Sequence, residues 1–206
     1  MKKVKICENT FEHTYWPEGK LVVGMDEAGR GPLAGPLSVA GVIFPIGYQN
    51  DEIYDSKSLS EKKRERLYNT ILEDALWYQI IEVSEEDIDR YNILEADRRA
   101  MRQIAMNSPA EIVLSDAVKL DLPKPVFDII KGDQQSVSIA AASILAKVTR
   151  DHIMKMYDKK YPEYGFASNK GYPTKAHMDA IQKYGITEIH RRSFGPVRAV
   201  QQKLDI

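Results

Sequence analysis

Three short apolar runs in this chain each close on carboxylates, and that pattern restricts the fold more than any other feature. Leu21-Val-Val-Gly-Met25 runs into Asp26-Glu27, Ile112-Val-Leu114 leads to Asp116, and Val126-Phe-Asp-Ile-Ile130 is followed by Asp133. Short aliphatic runs of this kind read as buried strands. A charge at a buried strand end is costly unless something neutralises it, and in an open α/β sheet the strand ends are where ligands bind. One such acid reads equally well as a solvated turn, and Asp133 alone as an acid favoured at a helix N-terminus. Three repeats favour ligands for a hard cation. An all-oxygen donor set with no His/Cys cluster selects Mg²⁺ or Mn²⁺ over zinc.

The rest of the chain fills in around these strands. Ser38-Val-Ala-Gly-Val-Ile-Phe44 and Trp77-Tyr-Gln-Ile-Ile-Glu-Val83 are two further strands. Ser58-Leu-Ser-Glu61 has the form of a capping box and opens a charged helix to about Ala75. Ser84-Glu-Glu-Asp87 opens another helical stretch, split near Tyr91-Asn92. A long helix runs from about Ser136 to Tyr161, where Pro162 stops it. One more helix (174–184) precedes a polar tail. Alternating strands and helices predict an α/β fold with a mixed sheet. Residues 1–20 carry no period and are expected to form a loose arm or an edge strand.

Other chemistries lack their usual marks. There is no G-x-x-x-x-G-K-[ST], no G-x-G-x-x-G and no G-x-S-x-G. His13, His152, His177 and His190 are scattered and read as surface or lightly packed residues. The single cysteine, Cys7, excludes an internal disulfide and a Cys-rich zinc site. Met1-Lys-Lys-Val-Lys5 opens like a signal peptide, but no apolar stretch follows. The most apolar segment, Leu37 to Phe44, is too short to cross a bilayer. A cytoplasmic monomer with no membrane association is expected.

Longer motifs resemble the type 2 ribonucleases H, the ribonuclease HII family. The segments are Gly24-Met-Asp-Glu-Ala-Gly-Arg-Gly-Pro-Leu-Ala-Gly-Pro36, Asp55-Ser-Lys-Ser-Leu59, Ser138 to Asp151, Lys170-Gly-Tyr-Pro-Thr174 and His190-Arg-Arg-Ser-Phe194. They follow the family's order from about residue 21 to 198. The resemblance implies a ribonuclease H fold, a mixed five-stranded sheet flanked by helices with a C-terminal helical extension. The corresponding division is an arm over 1–20, a catalytic core over 21–160 and a substrate-binding helical part over 161–206. The implied substrates are RNA–DNA hybrids and duplex DNA containing single ribonucleotides, cut by a two-metal mechanism to leave 3′-hydroxyl and 5′-phosphate ends.

The resemblance implies site residues as well. Asp26, Glu27, Asp116 and Asp133 would be the catalytic acids and metal ligands, with Asp151 a rival to Asp133; next to Arg150 and Lys147, Asp151 reads as a structural ion pair. Gly29-Arg30-Gly31 would read the ribose 2′-hydroxyl through main-chain groups, Tyr172 would stack on a nucleotide, and Lys57 would touch a phosphate. Glycines permit such close approach, and the 2′-hydroxyl is what separates RNA from DNA. The chain departs from the family's pattern at Ala117, where glycine is common, at Pro173 after Tyr172, and at Asn169 before Lys170. A resolvase- or integrase-like DNA nuclease and a non-catalytic hybrid-binding module are the alternatives.

Taken alone, the formal net charge of -1 disfavours a polyanionic substrate, but it conceals an uneven distribution. Residues 1–139 carry 17 Lys+Arg against 24 Asp+Glu, and residues 140–206 carry 12 against 6. The acidic part holds the proposed ligands, and the basic part (Lys147, Lys170, Lys175, Arg191 and Arg192 among them) is expected to meet phosphates.

Overall fold

A computed structural model describes residues 6–204. Five strands form a mixed sheet: β1 (Val22–Ala28), β2 (Leu37–Ile43), β3 (Trp77–Val83), β4 (Ile112–Asp116) and β5 (Val126–Ile129), in the order β3-β2-β1-β4-β5. β1, β4 and β5 run parallel, with Val22 opposite Ile112 and Val113 opposite Val126. β2 is buried along its whole length, as are the first five residues of β1 and the first four of β4. This is why these strands read as continuous apolar runs instead of alternating ones.

The helices are α1 (Thr10–Tyr15), α2 (Glu61–Asp74), α3 (Glu85–Tyr91), α4 (Ile93–Asn107), α5 (Val137–Lys160), α6 (Phe166–Asn169), α7 (Lys175–Tyr184) and α8 (Gly195–Leu204). Two compact units can be distinguished. The first comprises Met1–Ala28, Val39–Ile81 and Arg98–Val148, and the second Gly29–Ser38, Glu82–Asp97 and Thr149–Ile206. No helix among the described residues is long and apolar enough to cross a membrane.

In the first unit, two glycines let helices reach the sheet. A Cβ at Gly24 would lie 2.3 Å from the backbone of Ser138 and Ile139, so the first turn of α5 rests directly on β1. A Cβ at Gly41 would meet Ile104 Cγ2 at 2.3 Å, which seats α4 on β2. Gly41 neighbours Val23 and Met25, whose side chains point opposite to position 24. The sheet therefore carries α5 on one face and α4 on the other. Ala40, Val42, Phe44, Leu67, Ile71 and Leu145 belong to the core on the α5 side. In the second unit, Leu33, Met154, Tyr164, Phe166, Ile181 and Val197 build a separate core.

Several local expectations change. Residues 10–15 form a helix, with Glu12 fully buried, instead of a loose arm or edge strand. α2 is capped by Ser60, whose hydroxyl accepts from the Lys63 amide; Ser58 ends a separate 3₁₀ turn (Ser56–Ser58) capped by Asp55. Both serines precede the helix, and local pattern does not say which one caps it. The split near Asn92 is real. Asn92 adopts φ 62°, and its Oδ1 accepts from the Leu94 and Glu95 amides to start α4 afresh. The polar tail is helical over Gly195–Leu204.

Candidate active site

The proposed acids sit at the carboxyl ends of the three parallel strands. Asp26 and Glu27 lie near the end of β1, Asp116 ends β4, and Asp133 follows β5 in a 3₁₀ turn (Gly132–Gln134). Asp26 and Asp133 are buried, and Asp116 is partly so. All belong to the first unit. Burial, then the charges of Glu27 and Asp116, hold Asp26 well above the usual carboxylate range; the Ser143 hydroxyl and the Glu27 amide oppose the shift. The Glu27 amide donates to Asp26 Oδ1 at 2.7 Å. Ser143, on α5, is also 2.9 Å from the Ser56 hydroxyl. Burial, then Asp116 and Asp55, pushes Asp133 up to about 6, against the pull of Lys57.

Backbone geometry places two of these acids at some cost. Asp116 accepts the Gly132 amide at 2.8 Å, which ties the end of β4 to the turn carrying Asp133. The residues beside this link, Ala117 and Lys131, sit at φ 54° and 57°. Left-handed backbone costs a non-glycine residue about 1–2 kcal/mol. Ala117 therefore carries a cost at this turn, since glycine would take the same backbone without strain.

The donor chemistry fits a hard divalent cation. The acids are oxygen donors; the charges of Glu27 and Asp116 raise the proton affinity of Asp26, and those of Asp116 and Asp55 raise that of Asp133. A bound cation would turn that repulsion into attraction. Among the described residues, no three His, Cys, Asp or Glu side chains are arranged so that they could already hold a metal ion. Charges are felt farther than ligand bonds reach, so acids too far apart to share one ion still act on one another. Asp55, Ser56 and Ser143 join this cluster without having been singled out as site residues. Asp55 lies in a motif quoted for the family, but its sequence alone does not say which of its polar groups turns toward the acids. Lys57 is exposed.

The second unit holds the glycine loop and Tyr172. Gly29 is buried at φ 107°, Gly31 is exposed, and a Cβ on Gly31 would lie 3.5 Å from Tyr172 Cε1. The loop and the tyrosine are thus adjacent, and the tyrosine ring is exposed instead of packed in a core. Arg30 pairs with the fully buried Asp97 at 3.0 Å, which directs its side chain inward. Asp151 is buried on α5 in the same unit and acts electrostatically on Arg150.

Two expectations about basic and imidazole side chains fail here. Arg191 is fully buried and donates to main-chain carbonyls, so it does not meet phosphate. His177 and His190 are not surface residues. They form a buried pair with Nε2 atoms 3.1 Å apart. The Tyr172 carbonyl can only accept, so His177 Nδ1, 2.9 Å away, carries the proton. The Thr187 amide donates to His190 Nδ1 at 2.9 Å, so His190 is protonated on Nε2 and donates to His177. Both rings are neutral in this chain of bonds. Burial lowers both imidazoles, and burial followed by the neighbouring His177 takes His190 down to about 4. Thirteen residues separate the two histidines, so no local spacing reveals the pair.

The chain is similar to proteins of one family. A family model described as ribonuclease HII matches residues 23–197. The ribonuclease HII of Lactobacillus helveticus is 50% identical over 190 residues, which cover 91% of this chain and 76% of that protein. That of Ruminiclostridium cellulolyticum is 51% identical over 189 residues, covering 90% and 74%. Among solved structures, ribonuclease H2 from Pyrococcus horikoshii superposes with a TM-score of 0.74 at 25% identity, covering 90% of this chain and 99% of that one.

Proposed function

Because this chain belongs to the ribonuclease HII family, and so is a ribonuclease H-type hydrolase, we propose that it is an endonuclease for RNA in RNA–DNA hybrids and for single ribonucleotides within duplex DNA. The products carry 3′-hydroxyl and 5′-phosphate ends. The observation that carries this reading is the set of mutually repelling acids at three parallel strand ends.

Asp26, Glu27, Asp116 and Asp133 would hold two Mg²⁺ or Mn²⁺ ions. Bound together, such ions activate an attacking water and stabilise the leaving oxygen of a phosphodiester. The chain's own contribution is to bury these acids, to hold Asp26 through the Glu27 amide and Ser143, and to fix Asp116 against Gly132. The main chain of Gly29, Arg30 and Gly31 reads the ribose, Tyr172 stacks on a base, and Lys57 meets a phosphate. The single cysteine suits a reducing, cytoplasmic setting.

Asp26→Asn should abolish cleavage of a duplex bearing one ribonucleotide while leaving duplex binding in place. Unchanged turnover would remove the metal-site assignment. Mapping cuts on duplexes with no, one or four ribonucleotides, in Mg²⁺ and then Mn²⁺, tests the substrate. An all-DNA duplex cut as fast as the others would favour a resolvase-like nuclease.

A further inference from the structure

The loop Gly29–Pro36 is held from behind by two buried guanidinium groups, and the reaction proposed above gives neither a role. Arg191 donates from Nη2 to the Gly29 carbonyl at 2.7 Å and to Pro36 at 3.1 Å, from Nη1 to Arg30 at 3.2 Å, and from Nε to Gly35 at 2.9 Å. Arg150 donates from Nε to Pro36 at 2.9 Å and from Nη2 to Ala34 at 3.1 Å. Five carbonyls of one eight-residue loop therefore point at two arginines. The Arg191 amide adds a sixth, donating to Leu33 at 2.8 Å.

Two buried cations side by side repel, and this arrangement would be expensive if it served only packing. Glu85, partly buried, acts on both, with Asp89 acting on Arg191 and the buried Asp151 on Arg150. The glycines of the motif also answer to the clamp. A Cβ on Gly29 would sit 2.2 Å from Arg150 Nε, and one on Gly35 would strike Met154 Sδ at 2.3 Å.

The clamp has a stereochemical consequence. In a trans peptide the C=O and the following N–H point in opposite directions. Turning the Gly29 and Arg30 carbonyls onto Arg191 turns the Arg30 and Gly31 amides away from it. Two consecutive donors are then left facing away from the clamp, and Gly31, which carries one of them, is exposed and next to the Tyr172 ring.

We propose that Arg191, supported by Arg150, is a positioning residue that sets discrimination between ribose and deoxyribose by fixing the Arg30 and Gly31 amides toward a sugar 2′-oxygen. This rests on the reading that the Gly29-Arg30-Gly31 loop contacts the ribose. Lysine retains the charge of arginine but not the planar fork that spans several acceptors.

The test is Arg191→Lys, with affinity measured in Ca²⁺ for two duplexes identical except for a single ribonucleotide. The ratio of the two affinities should fall about tenfold, the order expected for losing an oriented hydrogen bond, while affinity for the all-DNA duplex stays within twofold. Mn²⁺ affinity, read by calorimetry without nucleic acid, should not change. A folded Arg191→Lys protein with an unchanged ratio overturns the proposal. Equal loss on both duplexes also overturns it, since that is general structural damage. Arg150→Lys, which touches the far end of the loop, should lower the ratio less, and it carries the test if Arg191→Lys does not fold. If the wild-type protein itself binds both duplexes equally, the ribose-reading role of the loop fails first, and that result is distinct from either variant outcome.

Discussion

Glu12→Ala should cost about 3 kcal/mol of folding stability, although residue 12 lies far in sequence from the helix it supports. The first amides of α5 have no partners within the helix. Asn9 Oδ1 accepts from the Val137 amide at 2.8 Å, and Glu12 Oε1 accepts from the Ser138 amide at 3.2 Å and from the Ser136 hydroxyl at 2.5 Å. Hydrogen bonds to a charged acceptor contribute about 1.5–3 kcal/mol each, and an acid at a helix N-terminus roughly 0.3–1 kcal/mol more. These terms overlap, because alanine leaves the same two donors buried; about 3 kcal/mol is the combined expectation. For a chain of 206 residues, an unfolding entropy of about 2.1 cal/mol/K per residue converts this to a fall of about 7 °C in Tm. Glu12→Gln keeps an acceptor and should lose about 1 kcal/mol. Urea and thermal unfolding measure both. A loss under about 0.5 kcal/mol for Glu12→Ala, with an unchanged m-value, would refute the capping role.

Three further outcomes are expected. Asp133 is pushed up to about 6, and a carboxylate must lose its proton to ligate a metal, so the proposed role of Asp133 predicts that Mn²⁺ affinity falls about tenfold per pH unit below that value; calorimetric affinity that is flat from pH 7.5 to 5 would contradict this. His190 is held neutral down to about 4 when folded, against about 6.5 unfolded, so the unfolded state binds more protons between those values. The stability it contributes is complete above pH 6.5 and is lost as pH falls toward 4, by up to roughly 3 kcal/mol; urea midpoints that are as steep in His190→Asn as in the wild-type protein would assign the slope elsewhere. Ala117→Gly should stabilise the protein by roughly 0.5–1 kcal/mol, since relief of left-handed strain exceeds the entropy glycine adds to the unfolded chain; a lower urea midpoint would count against strain at this turn.

Much of this site was legible in the chain because its signals are local. A strand buried on both faces must be apolar throughout, so β1, β2 and β4 announce themselves, and acids directly after two of them mark their ends. Asn92 and Pro162 break helices by their own backbone preferences, so those boundaries were readable too. The readings that failed concern polar side chains far from their partners in sequence. In sequence Arg191 reads as a phosphate contact, because charged residues are mostly exposed. It is buried because the carbonyls of residues more than 150 positions earlier solvate it. Glu12 and the pair His177 and His190 escaped for the same reason.

Local pattern along the chain specified the strands, the long helix and the positions of the acids. It also carried motifs specific enough to indicate a family. Packing between distant segments sets what the acids feel from one another, and which way the loop Gly29–Pro36 turns its peptides. Periodicity and caps are encoded within a few residues. Burial of a charge, and the dipoles that make that burial tolerable, depend on groups the chain brings together only after folding.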